Sequence, residues 1–136
     1  MKLTKFQTFT LALAGITALC IGLFISIEPH AFYASYQIIL PESPDLLSEL
    51  RGPGTNLAAL GLVMLAGLFH ADFAKISSTI AITVFLAFPL GRMISIAMDG
   101  LPSEGLLMAL VIEMMIGMLL LFAFCRKQTL GDVSKA

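Results

Sequence analysis

The chain has 136 residues, with 8 Lys+Arg against 9 Asp+Glu, a formal charge of −1 and a pI near 6.0. That balance excludes the basic face on which nucleic-acid binding depends. Hydrophobic residues make up 58%, charged residues only 12%, and the mean hydropathy is +0.95. An ordinary soluble domain carries roughly 25% charged residues, and one this small leaves much of its surface wet. The composition therefore excludes a soluble globule, a disordered chain and a disulfide scaffold, leaving a single integral membrane domain over 1–136.

Crossing the hydrocarbon core takes roughly 20 apolar residues, and only helices do so economically. In chain order, the first such run is 6–27, free of charge. Lys2 and Lys5 precede it as in a signal peptide, but it exceeds the usual apolar length of about 7–15 and no A-x-A site follows. Glu28-Pro29 ends this helix, and the segment that follows is the long connection, holding Phe32, Tyr33 and Tyr36, aromatics suited to the headgroup layer. Ser43-Pro44-Asp45 reads as a helix start, Ser capping and Pro at the first helical position. That helix runs toward a second span over 52–70, with Gly52-Pro53-Gly54 expected to kink or break it. The third span is 76–98, interrupted by Arg92, and the fourth is 105–125, interrupted by Glu113. Short turns on either side of the third span make spans two, three and four antiparallel neighbours. The fold class expected is all-α, a four-helix membrane bundle with a longer outer loop between its first two spans.

Basic residues set the orientation. Lys2, Lys5, Lys75, Arg126, Lys127 and Lys135 fall on one side, and Arg51 alone on the other. Both termini are expected in the cytoplasm of a bacterial inner membrane, with the 28–50 segment outside.

Charges inside lipid cost about 2.5–3.5 kcal/mol each on insertion scales and are retained when paired or working. At about 1.5 Å per residue, Arg92 lies about 9 Å and Glu113 about 13 Å below the outer end of their helices. Because a short turn joins those helices, an Arg92–Glu113 ion pair is expected. Snorkelling of Arg92 toward Asp99 is the alternative. Ser95 and Asp99 share a helical face with Arg92, and Asn56 enters from span two at about 7 Å depth. Together with Glu49 and Arg51 at the rim, these residues predict a polar cluster between spans two, three and four, open to the outside. Interhelical charge pairs often do no more than fix register, so a structural role stands beside a binding role. Phe88-Pro89 is expected to kink span three and free a carbonyl near Phe85. Small residues at Ala14, Ala18, Gly22, Gly54 and Ala58 permit close helix approach. Met108, Met114, Met115 and Met118 crowd span four, as packing or as the wall of an adaptable pocket.

Catalytic and metal-binding signatures are missing. H-E-x-x-H, CxxC, the P-loop and GxSxG do not occur. Cys20 and Cys125 belong to opposite ends of the membrane, which precludes a disulfide. His30 and His70 are likewise separated, and His30 reads as an interfacial polar residue near Glu28. No cofactor, metal site or catalytic residue is assigned.

Ser48-Glu49-Leu50-Arg51-Gly52-Pro53-Gly54, Gly91-Arg92-Met93-Ile94-Ser95, Asp99-Gly100-Leu101-Pro102 and Glu113 together resemble a family of small bacterial four-helix membrane proteins. That family is catalogued as domain of unknown function 4345. Its hallmarks are E-x-R at the second helix, G-R-x-x-S-x-x-x-D-G around the end of the third, and a Glu in the fourth. Where the family often has Gly-Gly after E-x-R, Pro53-Gly54-Thr55 stands here. The likeness covers about residues 10–125 and implies the four-helix fold and membrane location, without an activity. A more distant likeness to DoxX-like membrane proteins and to a four-span sterol-biosynthesis scaffold is one of fold alone.

The resulting expectation is a non-enzymatic binding or accessory module. Its partners are membrane lipid and either an amphipathic small molecule or another protein's membrane segment; no nucleic acid is involved. Glu49, Arg51, Asn56, Arg92, Ser95, Asp99 and Glu113 are the candidate residues for ligand binding or for a structural polar cluster. The competing expectations are an assembly factor for a larger membrane complex and, behind it, a small transporter or membrane enzyme.

Overall fold

The computed structural model describes residues 1–133, with side chains through Cys125. It consists of five helices: α1 (Lys5–Ile27), α2 (Pro29–Ala34), α3 (Pro44–Phe69), α4 (Ala74–Asp99) and α5 (Glu104–Val133). Four of them, α1, α3, α4 and α5 (the last over Glu104–Cys125), are long and apolar enough to cross a membrane. Arg126 and Lys127 lie beyond the described side chains, and Lys135 beyond the described residues.

Local chemistry explains most helix ends. Thr4 and Gln7 form a reciprocal capping box at the start of α1. Ser43 accepts from Leu46 N at the start of α3, with Pro44 at its first position. Gly100 ends α4 with φ 98°, a conformation that favours glycine. The α3 helix is one turn-after-turn helix from Pro44 to Phe69, with Pro53 inside it. The expected break at Gly52-Pro53-Gly54 is absent, because packing against α1 holds the chain helical through the lost hydrogen bond. The 28–43 connection is also not a plain loop, since its first part is α2.

The helices are arranged as a ring in the order α1, α3, α4, α5, with α1 and α4 meeting across the middle, while among the described residues the backbones of α3 and α5 do not come close. The most extensive contact is between α1 and α3, and small residues make it. A Cβ added to Gly22 would collide with the backbone of Ala58 and Gly54. One added to Gly61 would lie 2.5 Å from Leu19 N. Such close backbone approach is how helices associate where lipid supplies no hydrophobic drive between them. Leu11, Ala14, Ala18, Leu57, Met64, Ala81, Phe85, Ile116 and Leu120 form the core.

Among the described residues the fully buried polar side chains are Gln7, Thr10, Ser77 and Ser78, each hydrogen-bonded. Gln7 Nε2 donates to Ala123 O at 2.9 Å, tying α1 to α5. Ser77 Oγ donates to Val63 O at 2.6 Å, tying α4 to α3. Facing outward are Phe9, Ile16, Ile27, Phe69, Met98, Met115, Met118 and Phe122, an apolar girdle that only a lipid solvent makes reasonable.

Candidate functional site

Arg92 and Glu113 face each other across α4 and α5. Arg92 Nε donates to Glu113 Oε2, and Arg92 Nη2 donates to Glu113 Oε1, each at 2.9 Å. This two-point fork fixes orientation as well as distance. The side chains are 28% and 14% exposed, so neither is fully buried.

The pair sits on the wall of a cavity of about 850 Å³. Val84, Phe85, Ala87, Phe88, Gly91, Ser95 and Ile96 of α4 line one side. Leu106, Met108, Ala109, Leu110 and Ile112 of α5 line another. Ile21 and Ile25 of α1 close the back, with Leu57 of α3 behind them. The cover is α2 and the turn after it, through Phe32, Tyr33 and Tyr36. Those three aromatics pack edge-to-face around Phe32, which also meets Phe24 of α1 with ring centroids 5.4 Å apart. Ser103 Oγ donates to Tyr36 O at 3.3 Å, and the Tyr36 ring packs over Gly105, which fastens the cover to the start of α5. His30 Nε2 lies 3.4 Å from Glu42 Oε1 without forming a hydrogen bond, so α2 sits close to the segment that leads into α3 but is not tied to it there. Burial pushes the Tyr33 phenol above its ordinary value, while the positive charge of Arg92 acts in the opposite sense.

The structure divides the seven sequence-chosen residues instead of gathering them between spans two, three and four. Among the described residues the backbones of α3 and α5 do not come close, and of α3 only Leu57 reaches the cavity that holds Glu113. Arg51 and Asn56 line an open groove built from α3 alone. Arg51 Nε donates to Ser26 O at 3.0 Å, so it serves as a cationic cap on the last turn of α1. Glu49 is exposed with no partner among the described residues, as is Asn56. Ser95 donates to Asp99 Oδ2 at 3.1 Å; Ser95 borders the cavity and Asp99 does not. The members brought together are Arg92, Glu113 and Ser95. The aromatics of α2 and the α1 residues complete the site and were not chosen. Pro29 followed by Phe32, Tyr33 and Tyr36 was the available signal, since residues three to four apart share a helix face. All four methionines of α5 are exposed, and Met108 also borders the cavity.

The carbonyl of Phe85, four residues before Pro89, has lost its helical donor. Gly117 of α5 packs directly on it: a Cβ there would lie 2.7 Å from Phe85 O. Both cysteines are free, and the described residues contain no cluster of His, Cys, Asp and Glu able to hold a metal ion.

No curated protein and no solved structure matches this chain. A family model does, across residues 6–124. With four apolar helices around an Arg–Glu pair and nearly the whole chain matched, this small membrane protein belongs to the domain of unknown function family DUF4345.

Proposed function

We propose that the protein is a non-enzymatic binding module of a bacterial inner membrane, with both termini in the cytoplasm and its cavity in the outer leaflet, holding an amphipathic ligand. The observation that carries the reading is the cavity itself. Its volume of about 850 Å³ falls within the roughly 300–1,000 Å³ typical of small-molecule sites. It has apolar walls, an aromatic cover and one oriented polar pair. The placement in the outer leaflet is supported by the excess of Lys at the end of the bundle opposite α2. A polar route to the other face, as a transporter needs, is not seen among the described residues: below the pair lie Phe85, Ile116 and Leu120.

Native mass spectrometry after gentle extraction tests the reading. The wild-type protein is expected to carry a bound lipid-sized mass. Ala109→Trp, which fills the cavity, is expected to lose it, whereas Ala59→Trp on the open α3 groove retains it. A mass retained by Ala109→Trp sinks the binding role. Extraction with a larger complex and an empty cavity would instead favour an assembly factor.

A further inference from the structure

We infer that the cavity, if it is the ligand site proposed above, selects an uncharged amphiphile whose head offers hydrogen-bond acceptor oxygens, such as an ester or ketone carbonyl, over an anionic one. The argument is an inventory of donors and charges. A guanidinium has five N–H donors. Arg92 spends two of them on Glu113. The two on Nη1 and the second on Nη2 have no acceptor among the described residues. The hydroxyls of Tyr33 and Tyr36, whose rings form the cover, also have none. The polar end of the cavity is therefore rich in unspent donors.

Charge then separates one acceptor class from another. Arg92 and Glu113 already neutralise each other, so the site is electrically balanced before a ligand arrives. A phosphate or carboxylate head would bring a second negative charge beside Glu113, with no lining cation other than Arg92 to pair it and mostly apolar walls around it, which is costly. A neutral carbonyl takes the same N–H and O–H donors with no such cost. The arrangement differs from an anion site, in which an arginine keeps its fork free for the ligand.

The test uses the full chain in a non-ionic detergent and two lipids that share one acyl chain, 1-oleoylglycerol and oleoyl lysophosphatidate, titrated by native mass spectrometry. Wild type is expected to bind oleoylglycerol at least about tenfold more tightly, the measure of a modest penalty for one unpaired charge. Glu113→Gln, whose fold is checked by circular dichroism, leaves Arg92 uncompensated and is expected to reverse the preference. Arg92→Gln with Glu113→Gln restores neutrality but removes the donors. It is expected to weaken oleoylglycerol binding about tenfold without improving lysophosphatidate binding, and it serves where the single variant does not fold. Ala109→Trp is expected to abolish binding of both lipids. A wild-type preference for lysophosphatidate, or an unmoved preference in Glu113→Gln, overturns the neutral-head inference alone, provided Ala109→Trp still blocks binding. Binding that ignores Ala109→Trp, or no binding of either lipid, overturns the site and the inference together.

Discussion

The Arg92–Glu113 fork is the residue on which the most chemistry turns. Two hydrogen bonds at 2.9 Å hold it, yet it is not sealed from solvent or ligand. Removing one partner leaves the other polar and unpaired, which costs about 1–3 kcal/mol in such settings. Arg92→Gln and Glu113→Gln are each expected to lower the thermal midpoint measured by circular dichroism. The exchanged double variant Arg92→Glu with Glu113→Arg is expected to recover more than half of the loss. Equal loss in the double variant would mean that the two residues contribute separately. Tyr33 offers a second check. Its phenol is held above its ordinary value of 10.0, mainly by burial. At pH above 10 the unfolded chain loses this proton while the folded protein keeps it, so stability falls as pH rises through that point. Tyr33→Phe is expected to reduce the steepness of that alkaline decline while leaving stability between pH 7 and 9 nearly unchanged.

Between elements, glycine positions decide how closely helices meet. Gly61 and Gly22 bring α1 and α3 into backbone contact, and Gly117 brings α5 against the Phe85 carbonyl. Gly52 and Gly91 face open space. Gly61→Ala and Gly117→Ala must push helices apart and are expected to cost about 1–3 kcal/mol, as overpacking does. Gly91→Ala is expected to be neutral or stabilising, because alanine is the better helix former, whereas Gly52→Ala sets a Cβ against the ring of the following Pro53 and is expected to cost stability. Denaturant titrations of the four variants check the contrast. The small residues of α1 and α3 were readable as a close-packing face, since their four-residue spacing puts them on one stripe. Gly117 was not readable, because its partner is a carbonyl freed by a proline 28 positions away in sequence. The α2 helix was read as a loop for a related reason. A helix of six residues is too short to form on propensity, and the contacts that fix it come from other elements, Phe24 against its own Phe32 and Ser103 and Gly105 against Tyr36 just after it.

For the molecule as a whole, orientation in the membrane is the open test of the proposed topology. Ile39, 94% exposed in the connection after α2, is expected to react from outside intact cells when changed to Cys. Lys75→Cys, in the turn between α3 and α4, is expected to stay protected. Labelling with a membrane-impermeant maleimide, in a background with Cys20 and Cys125 replaced by Ser, reads the result. Protection of position 39 with labelling of position 75 would invert the topology.

The sequence by itself determined the class of molecule and its long elements. Runs of apolar residues have only one economical conformation in lipid, so the four membrane helices follow from hydropathy with little help from packing. It also determined the level of Arg92 and Glu113, because a fixed rise per residue and a short turn set both depths. Short turns also made spans two, three and four sequential neighbours, as observed; only the tertiary structure decided which helix α1 packs on and that α3 and α5 stand apart. Rise measures depth, but the angular order of helices around the bundle depends on which faces pack. Here the glycine and alanine stripe of α1 claims α3, leaving α3 and α5 apart. That one choice sends Arg51 and Asn56 to a separate surface and brings α1 and the aromatics of α2 to the Arg92–Glu113 cavity.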